Sequence, residues 1–565
     1  MHLETDVLVI GAGGAGMYAA LEAAKAGASV LLADRSLIGR GGATVMAQMT
    51  VAAALGEQTP DSWEHHLSDT LAAGRGLCDE RLAALLCREG PARIREMDAW
   101  KVGWARDGDH IAQIHAPGHD RPRCVYVDVL STGPAVSRTL RTQLNLAGGI
   151  RRIGDLAIVD IVIRDGIACG AVAVHLATGE PVTIAAKSTI IATGGLTRLY
   201  RRNSASFNMG GDGYALALRA GAELIDMEFV QFFPIGHLAP RLVGMDPIMW
   251  DPFRYKLGGK LLNSEMHEFE DDYAAQDARS DGHYVLTRDR ATYAITKEVE
   301  LGRGSPAGGA YLSFKHVPEA QLRRAFGPVI DKLAANGIDL TQQLVEVAPI
   351  AHYHMGGVRV DEAMQTGVPG LYACGEAIGG ANGANRLSGN AITEAFVFGA
   401  RAGQCAAKTA MHAGTHWSDA SAAPTLDMLR ASDTRDTRDT PNLAVAVTHL
   451  QALMADKVGP FRTQDKLVEA IVEIDRMAGE LGAAPPSSGQ SFDPLLIDWL
   501  DLRNMLLVAK AVAVPALART ESRGAHQRDD HPGLDEAWTL NQTVTLSGGI
   551  IALAQGANIS KKASA

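Results

Sequence analysis

The sequence has few cysteines, and their spacing is the first constraint on function. Its 565 residues include six cysteines, and no two of them form a Cys-x-x-Cys pair. This pattern argues against a disulfide framework, and against an iron–sulfur cluster or structural zinc held by this chain alone. We therefore expect a reducing compartment and no metal site.

Aromatic residues are also few, and an excess of basic charge and long apolar runs are absent. Aromatics amount to 5% and the formal net charge is −11, so the sequence lacks both the stacking platform and the basic surface of a nucleic-acid binder. The absence of a stretch of about 18 uncharged apolar residues predicts no membrane span. A strand-like run begins by Asp6, which leaves no room for a signal peptide. We expect a cytoplasmic protein, which a partner can bring to the inner face of a membrane.

Glycine, by contrast, is abundant, with 60 residues, and part of it forms a recognisable motif near the N-terminus. An apolar run at 7–10 precedes the glycine-rich turn 11–16, a helical segment follows at 17–26, and a second strand ends in Asp34. This order is typical of a dinucleotide-binding unit. The glycines let the backbone approach a pyrophosphate, the helix N-terminus offers N–H groups, and Asp34 accepts from a ribose hydroxyl.

The stretch 156–195 predicts a three-stranded meander followed by a further strand. Three apolar segments between 158 and 185 are separated by turn sequences at 165–166 and 178–179, and a strand at 189–192 ends in glycines. A dinucleotide-binding unit followed by such a meander is the arrangement of FAD-binding folds of the glutathione-reductase type.

Longer motifs recur along nearly the whole chain. They are GAGGAG at 11–16, ATGG at 192–195, GDG at 211–213, EFVQF at 228–232, HYHMGG at 352–357, GLYACGE at 370–376, GANRLSGNA at 383–391 and ARTESRGAH at 518–526. Together they resemble the flavoprotein subunit of succinate dehydrogenase and fumarate reductase, and its relative L-aspartate oxidase.

The resemblance and the sequence pattern together predict an α/β protein with three parts. These are a Rossmann-like FAD-binding domain of the glutathione-reductase type, an inserted α+β capping domain and a C-terminal helical bundle. We place the FAD-binding domain at 1–232 and 351–412, the capping domain at 233–350, a polar linker at 413–441 and the helical domain at 442–565.

The resemblance implies a set of residues that contact FAD. They are Gly11, Ala12, Gly13, Gly14, Ala15, Gly16, Asp34, Arg35, Gly41, Gly42, Ala43, Thr44, Gln48, Ala192, Thr193, Gly194, Asp212, Glu376, Asn390, Ala391 and Ile392. It also implies that His352 and Arg386 grip a substrate carboxylate beside the flavin.

The sequence departs from the family at three positions of the substrate site. Phe233 replaces a histidine that binds a carboxylate, the stretch 249–259 lacks the family's second carboxylate-binding motif, and Tyr293 stands where the family has a proton-shuttling arginine. The phenol of Tyr293 is a candidate proton donor or acceptor if Arg288 or Arg290 nearby lowers its pKa; the alternative for Tyr293 is ordinary packing. Trp250 and Phe253 either add an aromatic face to the site or pack in the capping-domain core.

These departures predict an FAD-dependent oxidoreductase that transfers a hydride between flavin N5 and an anionic substrate other than a simple C4 diacid. The resemblance implies that the electrons pass to a separate iron–sulfur subunit. Three alternatives stay open at this point. The chain is a true succinate dehydrogenase or fumarate reductase, in which Arg254, Lys256 or Arg290 replaces the lost groups; an L-aspartate-oxidase-like enzyme that uses oxygen; or a non-catalytic FAD-bearing subunit.

The first testable prediction is that FAD is held without a covalent bond. Family members that attach FAD covalently use a histidine before Thr-Val-Ala-Ala-Gln, and Ala43 occupies that position here. Alanine carries no nucleophile, so acid precipitation should release all the yellow colour into the supernatant. Colour that stays in the pellet would contradict the prediction.

Overall fold

The computed structural model describes residues 1–128, 130–242, 248–277, 283–327, 329–431, 442–486 and 492–557. Within these ranges, the side chains of residues 251, 252, 255, 274–277, 283–290 and 557 lie outside the description.

The strands of the described residues are β1 (His2–Ile10), β2 (Val30–Ala33), β3 (Val51–Ala52), β4 (Arg106–Asp107), β5 (His110–Ile111), β6 (Gln113–Ile114), β7 (Cys124–Val125), β8 (Ile150–Ile153), β9 (Leu156–Arg164), β10 (Ile167–His175), β11 (Pro181–Ile191), β12 (Leu224–Ile225), β13 (Val230–Ala239), β14 (Lys260–Leu262), β15 (Ala310–Ser313), β16 (Val345–His354), β17 (Gly357–Val358), β18 (Leu371–Ala373), β19 (Leu540–Ser547) and β20 (Ile550–Ala557).

The helices are α1 (Gly14–Lys25), α2 (Trp63–Ala73), α3 (Glu80–Ala99), α4 (Thr132–Leu146), α5 (Asp212–Arg219), α6 (Asp251–Leu257), α7 (His283–Glu300), α8 (Glu319–Phe326), α9 (Val329–Ala335), α10 (Asn390–His412), α11 (Asp419–Arg430), α12 (Leu443–Lys457), α13 (Gln464–Leu481) and α14 (Pro494–Ala518). Short 3-10 helices lie at Thr44–Met46, Thr197–Leu199, Glu270–Asp277, Gly375–Ala377 and Glu536–Trp538.

The largest sheet has the order β8-β2-β1-β11-β10-β9, with β18 paired to β11. The pairs β8–β2, β2–β1, β1–β11 and β11–β18 are parallel, whereas β9, β10 and β11 form the antiparallel meander. Asp165 and Gly166, at the turn between β9 and β10, both have positive φ, as a two-residue hairpin turn requires. The predicted FAD-binding fold is confirmed.

The glycine-rich turn lets helix α1 pack directly on strand β1. A Cβ atom at Gly16 would lie 1.8 Å from the carbonyl oxygen of Gly11, so no other residue fits there. On its outer side α1 packs against α10, where a Cβ atom at Gly399 would lie 2.5 Å from the carbonyl oxygen of Ala15. Two close backbone approaches thus fix the helix whose N-terminus points to the dinucleotide site.

The capping domain has its own sheet, in the order β13-β16-β15-β14, and its own apolar core. Trp250 is fully buried there, with its ring 5.9 Å from that of Phe314 and 5.7 Å from that of Phe326, and Phe253 stacks on Phe326 at 4.3 Å. Trp250 and Phe253 therefore pack in the core of this domain. The predicted domain boundaries fall inside β13 and β16, because these paired strands run continuously from one domain into the other.

Two details of the C-terminal part differ from the sequence-based prediction. The segment predicted as a linker contains helix α11, which packs against β9 and β10 and buries Ala422; residues 432–441 of that segment lie outside the described residues. The helical domain, confirmed in α12, α13 and α14, also carries the hairpin β19–β20. Strand β19 pairs with β12, so the hairpin extends a sheet that begins in the FAD-binding domain. Among the helices of the described residues, none has both the length and the apolarity to cross a membrane.

A buried ionic network joins the end of α14 to the segment before β13. Arg519 is inaccessible to solvent; its Nε donates to Glu228 at 2.7 Å and its Nη1 donates to Glu521 at 2.9 Å. Its remaining donors reach the carbonyl oxygens of Trp538 and Leu540 at 2.9 and 2.8 Å. The guanidinium thus satisfies groups from four separate positions of the chain.

We expect Arg519→Ala to lower the free energy of unfolding by about 3–5 kcal/mol, because it leaves the carboxylate of Glu228 buried without its ion-pair partner, whereas Glu521 keeps its pair with Arg523. The matched control is Arg476→Ala, which removes a half-exposed arginine that pairs with Glu473 and Glu480 on α13, and which should change the free energy of unfolding far less because solvent screens exposed ion pairs. Urea unfolding followed by far-ultraviolet circular dichroism measures both. Equal effects of the two substitutions would contradict the assignment.

Candidate functional site

A cavity of about 390 Å³ lies between the FAD-binding domain, the capping domain and the C-terminal part. This volume is in the range of binding sites for small molecules and cofactors. Most of the residues predicted to contact FAD line it: Gly11, Gly13, Gly14, Ala15, Asp34, Arg35, Gly41, Gly42, Ala43, Thr44, Gln48, Ala192, Thr193, Gly194, Asp212, Glu376, Ala391 and Ile392. The predicted substrate anchors, His352 and Arg386, line the same cavity.

The wall around the start of α1 fits a dinucleotide. No side chain caps this helix at Gly13, and the N–H of Gly14 donates to Oγ1 of Thr44 at 3.1 Å. At Gly42, where φ is +82°, a Cβ atom would have no neighbour within 4 Å. The hydroxyl of Thr193, also in the wall, is buried and without a hydrogen-bond partner among the described residues. A helix N-terminus, an open glycine and an unsatisfied hydroxyl are the features that a bound pyrophosphate cofactor would satisfy.

A cluster of charges in the wall includes residues from α14. Arg35 donates to Asp212 at 2.8 Å and lies 2.7 Å from Asp501, which also pairs with Arg198. Asn504 donates to Asp212 at 2.9 Å. The C-terminal helix therefore helps to hold Arg35 and Asp212, two of the predicted cofactor residues.

Three predicted cofactor residues have structural contacts of their own. The N–H of Ala12 donates to Asp34 at 2.6 Å, and Gly16 provides the close helix–strand contact described above.

The side chain of Asn390 forms a hydrogen bond with His66 at 2.8 Å and donates to Thr70 at 3.2 Å, so it holds α10 against α2. Its neighbours Gly389 and Ala391 line the cavity.

Arg386 is held by neutral groups. Its Nη2 donates to Oε1 of Gln231 at 3.0 Å, its Nη1 donates to the carbonyl oxygen of Leu387 at 3.2 Å, and its guanidinium carbon lies 4.3 Å from the centroid of the Tyr353 ring. Gln231 in turn donates to Asn385 at 2.8 Å. These contacts orient the guanidinium, whose planar fork suits a carboxylate.

Two buried acids, Glu376 and Glu394, interact electrostatically with Arg386. Burial raises the pKa of Glu376 to about 8, and the neighbouring Glu394 adds to this rise. Burial also raises the pKa of Glu394 to about 7; its carboxyl accepts from Tyr353 at 2.6 Å and from Asn382 at 2.7 Å. At pH 7 Glu376 is therefore mainly protonated and Glu394 is partly ionised, and the charge of Arg386 lowers the pKa of both carboxyls.

His352 lies at the end of strand β16, between a hydroxyl and an aromatic ring. Its Nδ1 is 2.8 Å from Oγ of Ser204, and its ring meets that of Phe233 edge-on, with 5.6 Å between centroids. Phe233 also lines the cavity, so of the three aromatic residues weighed from the sequence this one faces the site.

Tyr293 lies outside the described cavity wall. The ring of Tyr293 packs against Phe461 at 5.0 Å and Tyr273 at 5.9 Å; within the described residues, the cavity wall includes its neighbour Thr292 but not Tyr293 itself. The side chain of Arg290 lies outside the described residues.

The two other cationic groups considered as substitutes for the lost carboxylate anchors also lie elsewhere. Arg254 is buried against Glu270 in the capping domain, and Lys256 is exposed. Neither belongs to the described cavity wall, so the structure does not support them as substitutes.

Sequence reasoning missed several residues of the wall. Ser204, Asp501, Asn504 and Gln527 line the cavity, and so does Gly524. Gly524 lies in the motif ARTESRGAH, and Gln231, which also lines the cavity, lies in EFVQF. The sequence motifs therefore indicated these two residues. Nothing in the local sequence marks Ser204 or Asp501. In the described part of the chain, His, Cys, Asp and Glu form no group of three or more suited to a metal ion.

Two family descriptions match the chain. The family described as FAD binding domain matches residues 6–392, and the family described as fumarate reductase flavoprotein C-term matches residues 447–553. The first covers the dinucleotide fold and the inserted domain, and the second covers most of the C-terminal part.

Individual relatives match over almost the full length. The chain is 34% identical over 544 residues to a protein of Methanothermobacter marburgensis that is named as a subunit of fumarate reductase (CoM/CoB), and the match covers 95% of this chain and 96% of the relative. It is 32% identical over 557 residues to the L-aspartate oxidase of Streptomyces coelicolor, with 96% and 92% covered. The solved structure "Mycobacterium smegmatis Sdh1 in complex with UQ1" superposes with a TM-score of 0.88 at 34% identity, over 98% of this chain and 94% of that chain.

The raised pKa of Glu376 predicts a pH dependence of stability in the cofactor-free protein. Between pH 4.5 and 8 this group is protonated in the folded state and ionised in the unfolded state, so its contribution to stability falls as the pH rises, by up to about 1.4 kcal/mol per pH unit. Glu376→Gln removes the proton uptake. The difference in unfolding free energy between this variant and the wild type should therefore grow in favour of the variant from pH 5 to 8.

Urea unfolding at each pH measures this difference, and Glu265→Gln, at an exposed position, is the control. A Glu376→Gln profile that stays parallel to the wild-type profile would contradict the assignment.

Proposed function

This chain belongs to the family of flavoprotein subunits of fumarate reductase and succinate dehydrogenase and of L-aspartate oxidases, and we propose that it oxidises or reduces a carbon–carbon bond of an organic acid with one anionic group and an apolar remainder. It is an FAD-dependent oxidoreductase. The observation that carries the substrate proposal is the juxtaposition, in one cavity, of Arg386 and His352 with the ring of Phe233.

Bound FAD supplies the hydride transfer, at N5 of its flavin ring. The protein's part is to bind and orient the substrate acid beside it and to exclude water. Arg386 attracts the anionic group through its positive charge, and its contacts with Gln231, Leu387 and Tyr353 orient the guanidinium. His352 lies on the same wall and adds a hydrogen-bonding nitrogen to this anion site.

Phe233 sets the limit on the rest of the substrate. A second carboxylate placed against this ring would lose its hydration without gaining a charge-assisted hydrogen bond, at a cost of several kcal/mol. An apolar substituent gains from the same contact. This argument favours an acid with one anionic end over a C4 diacid.

The proton that accompanies the hydride needs a donor or acceptor group at the cavity. Helix α7 brings Thr292 to the cavity wall, and Tyr293 and Arg290 follow and precede it on the same helix. We propose that this helix supplies the proton-handling group. If Tyr293 is that group, Tyr293→Phe lowers kcat at least about 100-fold; if it packs only, kcat is unchanged.

A separate iron–sulfur subunit is the proposed electron partner. The cysteine spacing of this chain gives no cluster motif, and the name of the Methanothermobacter relative describes it as one subunit of its enzyme. The rival is direct reoxidation by oxygen, in the manner that the name of the Streptomyces relative indicates.

The test of the proposed function is a panel of acids offered to the purified protein under anaerobic conditions, with reduction or reoxidation of the flavin read at its absorbance maximum. We expect monocarboxylates with an apolar remainder to react and succinate and fumarate to react feebly. Arg386→Lys should lower kcat/KM for the best acid at least about 10-fold, because a lysine cannot replace the planar fork. Phe233→His should raise activity towards fumarate.

Efficient turnover of succinate or fumarate by the wild type would instead support the second candidate, a true succinate dehydrogenase or fumarate reductase. It would contradict the proposal that the substrate has one anionic group. Admitting air after reduction tests the acceptor. Reoxidation as fast as turnover, with stoichiometric hydrogen peroxide, would support the oxygen-using alternative.

A further inference from the structure

A loop of the FAD-binding domain reaches the substrate anchor His352. The backbone of residues 202–204 runs beside strand β16: the N–H of Ser204 donates to the carbonyl oxygen of Ala351 at 3.0 Å, and the N–H of Ala351 donates to that of Arg202 at 2.9 Å. These bonds place the hydroxyl of Ser204 beside His352, the residue that follows Ala351. Its Oγ lies 2.8 Å from Nδ1 of His352, at hydrogen-bonding distance.

The same loop is tied to the other parts of the molecule. Oγ of Ser206 accepts from the N–H of Gly42 in the cofactor-binding segment at 2.7 Å, and the guanidinium of Arg202 donates to the carbonyl oxygens of Ala307 and Gly308 in the capping domain, both at 2.7 Å. The hydroxyl of Ser204 is therefore held by a loop that is fixed on three sides. A small side chain in such a loop is well suited to orient a ring.

We propose that Ser204 is a positioning residue for His352: its hydroxyl donates to Nδ1 of the neutral imidazole and so places the ring proton on Nε2. This inference rests on the proposed role of His352 in binding the substrate anion. An imidazole with its proton on Nε2 donates a hydrogen bond to an anionic oxygen without being charged itself.

The choice of a hydroxyl has a consequence for the substrate. A carboxylate at the position of Ser204 would favour the charged imidazolium, and the anion site would then carry two positive charges. With a serine there, His352 works as a neutral donor and Arg386 supplies the charge. One permanent charge matches one carboxylate, which is the substrate class proposed above.

The test uses the FAD-loaded full-length protein and four variants. Ser204→Ala removes the donor, Ser204→Thr restores it, and His352→Gln removes the ring. The matched control is Ser188→Ala on β11, because Ser188 is also buried and its Oγ has no hydrogen-bond partner among the described residues. Cofactor content and thermal midpoint are measured first, so that any misfolded variant is identified.

The direct readout is the nitrogen spectrum of ¹⁵N-histidine-labelled protein, in which His352 is assigned by its disappearance in His352→Gln. At pH 8 we expect the neutral imidazole of the wild type to carry its proton on Nε2, Ser204→Ala to lose this fixed state, and Ser204→Thr to keep it. A proton on Nδ1 in the wild type, or an unchanged His352 signal in Ser204→Ala, overturns the inference.

The second readout is the dissociation constant of benzoate, used as a monocarboxylate probe and followed by the change in flavin absorbance. Ser204→Ala should weaken binding about 3- to 10-fold, the value of one neutral hydrogen bond, while Ser204→Thr and Ser188→Ala bind as the wild type does. If His352→Gln binds benzoate unchanged, the proposed function fails at this residue. If His352→Gln weakens binding and Ser204→Ala does not, the Ser204 inference fails and the proposed function stands.

Discussion

The pairing of buried Arg519 with Glu228 is the interaction on which the arrangement of the three parts depends. Glu228 lies just before β13, the strand that leads into the capping domain, and Arg519 ends α14. Arg462, at the start of α13, donates to the carbonyl oxygen of Glu228 at 2.8 Å and contacts His526 at the same distance. Charges in a dry interior tolerate little displacement, because an unpaired one costs several kcal/mol. These contacts hold the C-terminal part against the segment that leads into the capping domain. They also bring Gly524 and Gln527 to the cavity wall.

The substrate side of the cavity follows a different electrostatic rule. There the cation Arg386 contacts amide, carbonyl and aromatic groups, and the acid Glu376 is kept mainly neutral by burial. Arg519 is paired with the carboxylates of Glu228 and Glu521, whereas Arg386 lines the cavity in which we propose that the substrate binds.

The turns and helices that were predictable from the sequence are those formed by residues close to one another in the chain. The glycine turn at 11–16, the hairpin turn at 165–166 and the helices α12, α13 and α14 are of this kind. Residues that act across the fold were not predictable: Ser204 reaches His352 and Asp501 reaches Arg35 only because distant strands and helices meet. Trp250 and Phe253 show a related limit, since an aromatic residue beside a lost motif has the same appearance in a core as in a site. Helix α11 within the predicted linker shows another, because a short polar helix is stabilised by packing on β9 rather than by its own sequence.

The cavity wall joins the first and last quarters of the chain, and this has a consequence for biogenesis. Arg35 and Asp501 are separated by 501 − 35 = 466 residues and meet in the wall at 2.7 Å. At synthesis rates of about 5–20 residues per second, the ribosome needs roughly 25–95 seconds to make that stretch. During this time the nascent dinucleotide fold lacks the part of the cavity wall that α14 contributes. Full retention of the cofactor therefore requires translation to be complete. Cofactor supply then favours completed chains over truncated ones, since a ligand stabilises only the molecules that can bind it.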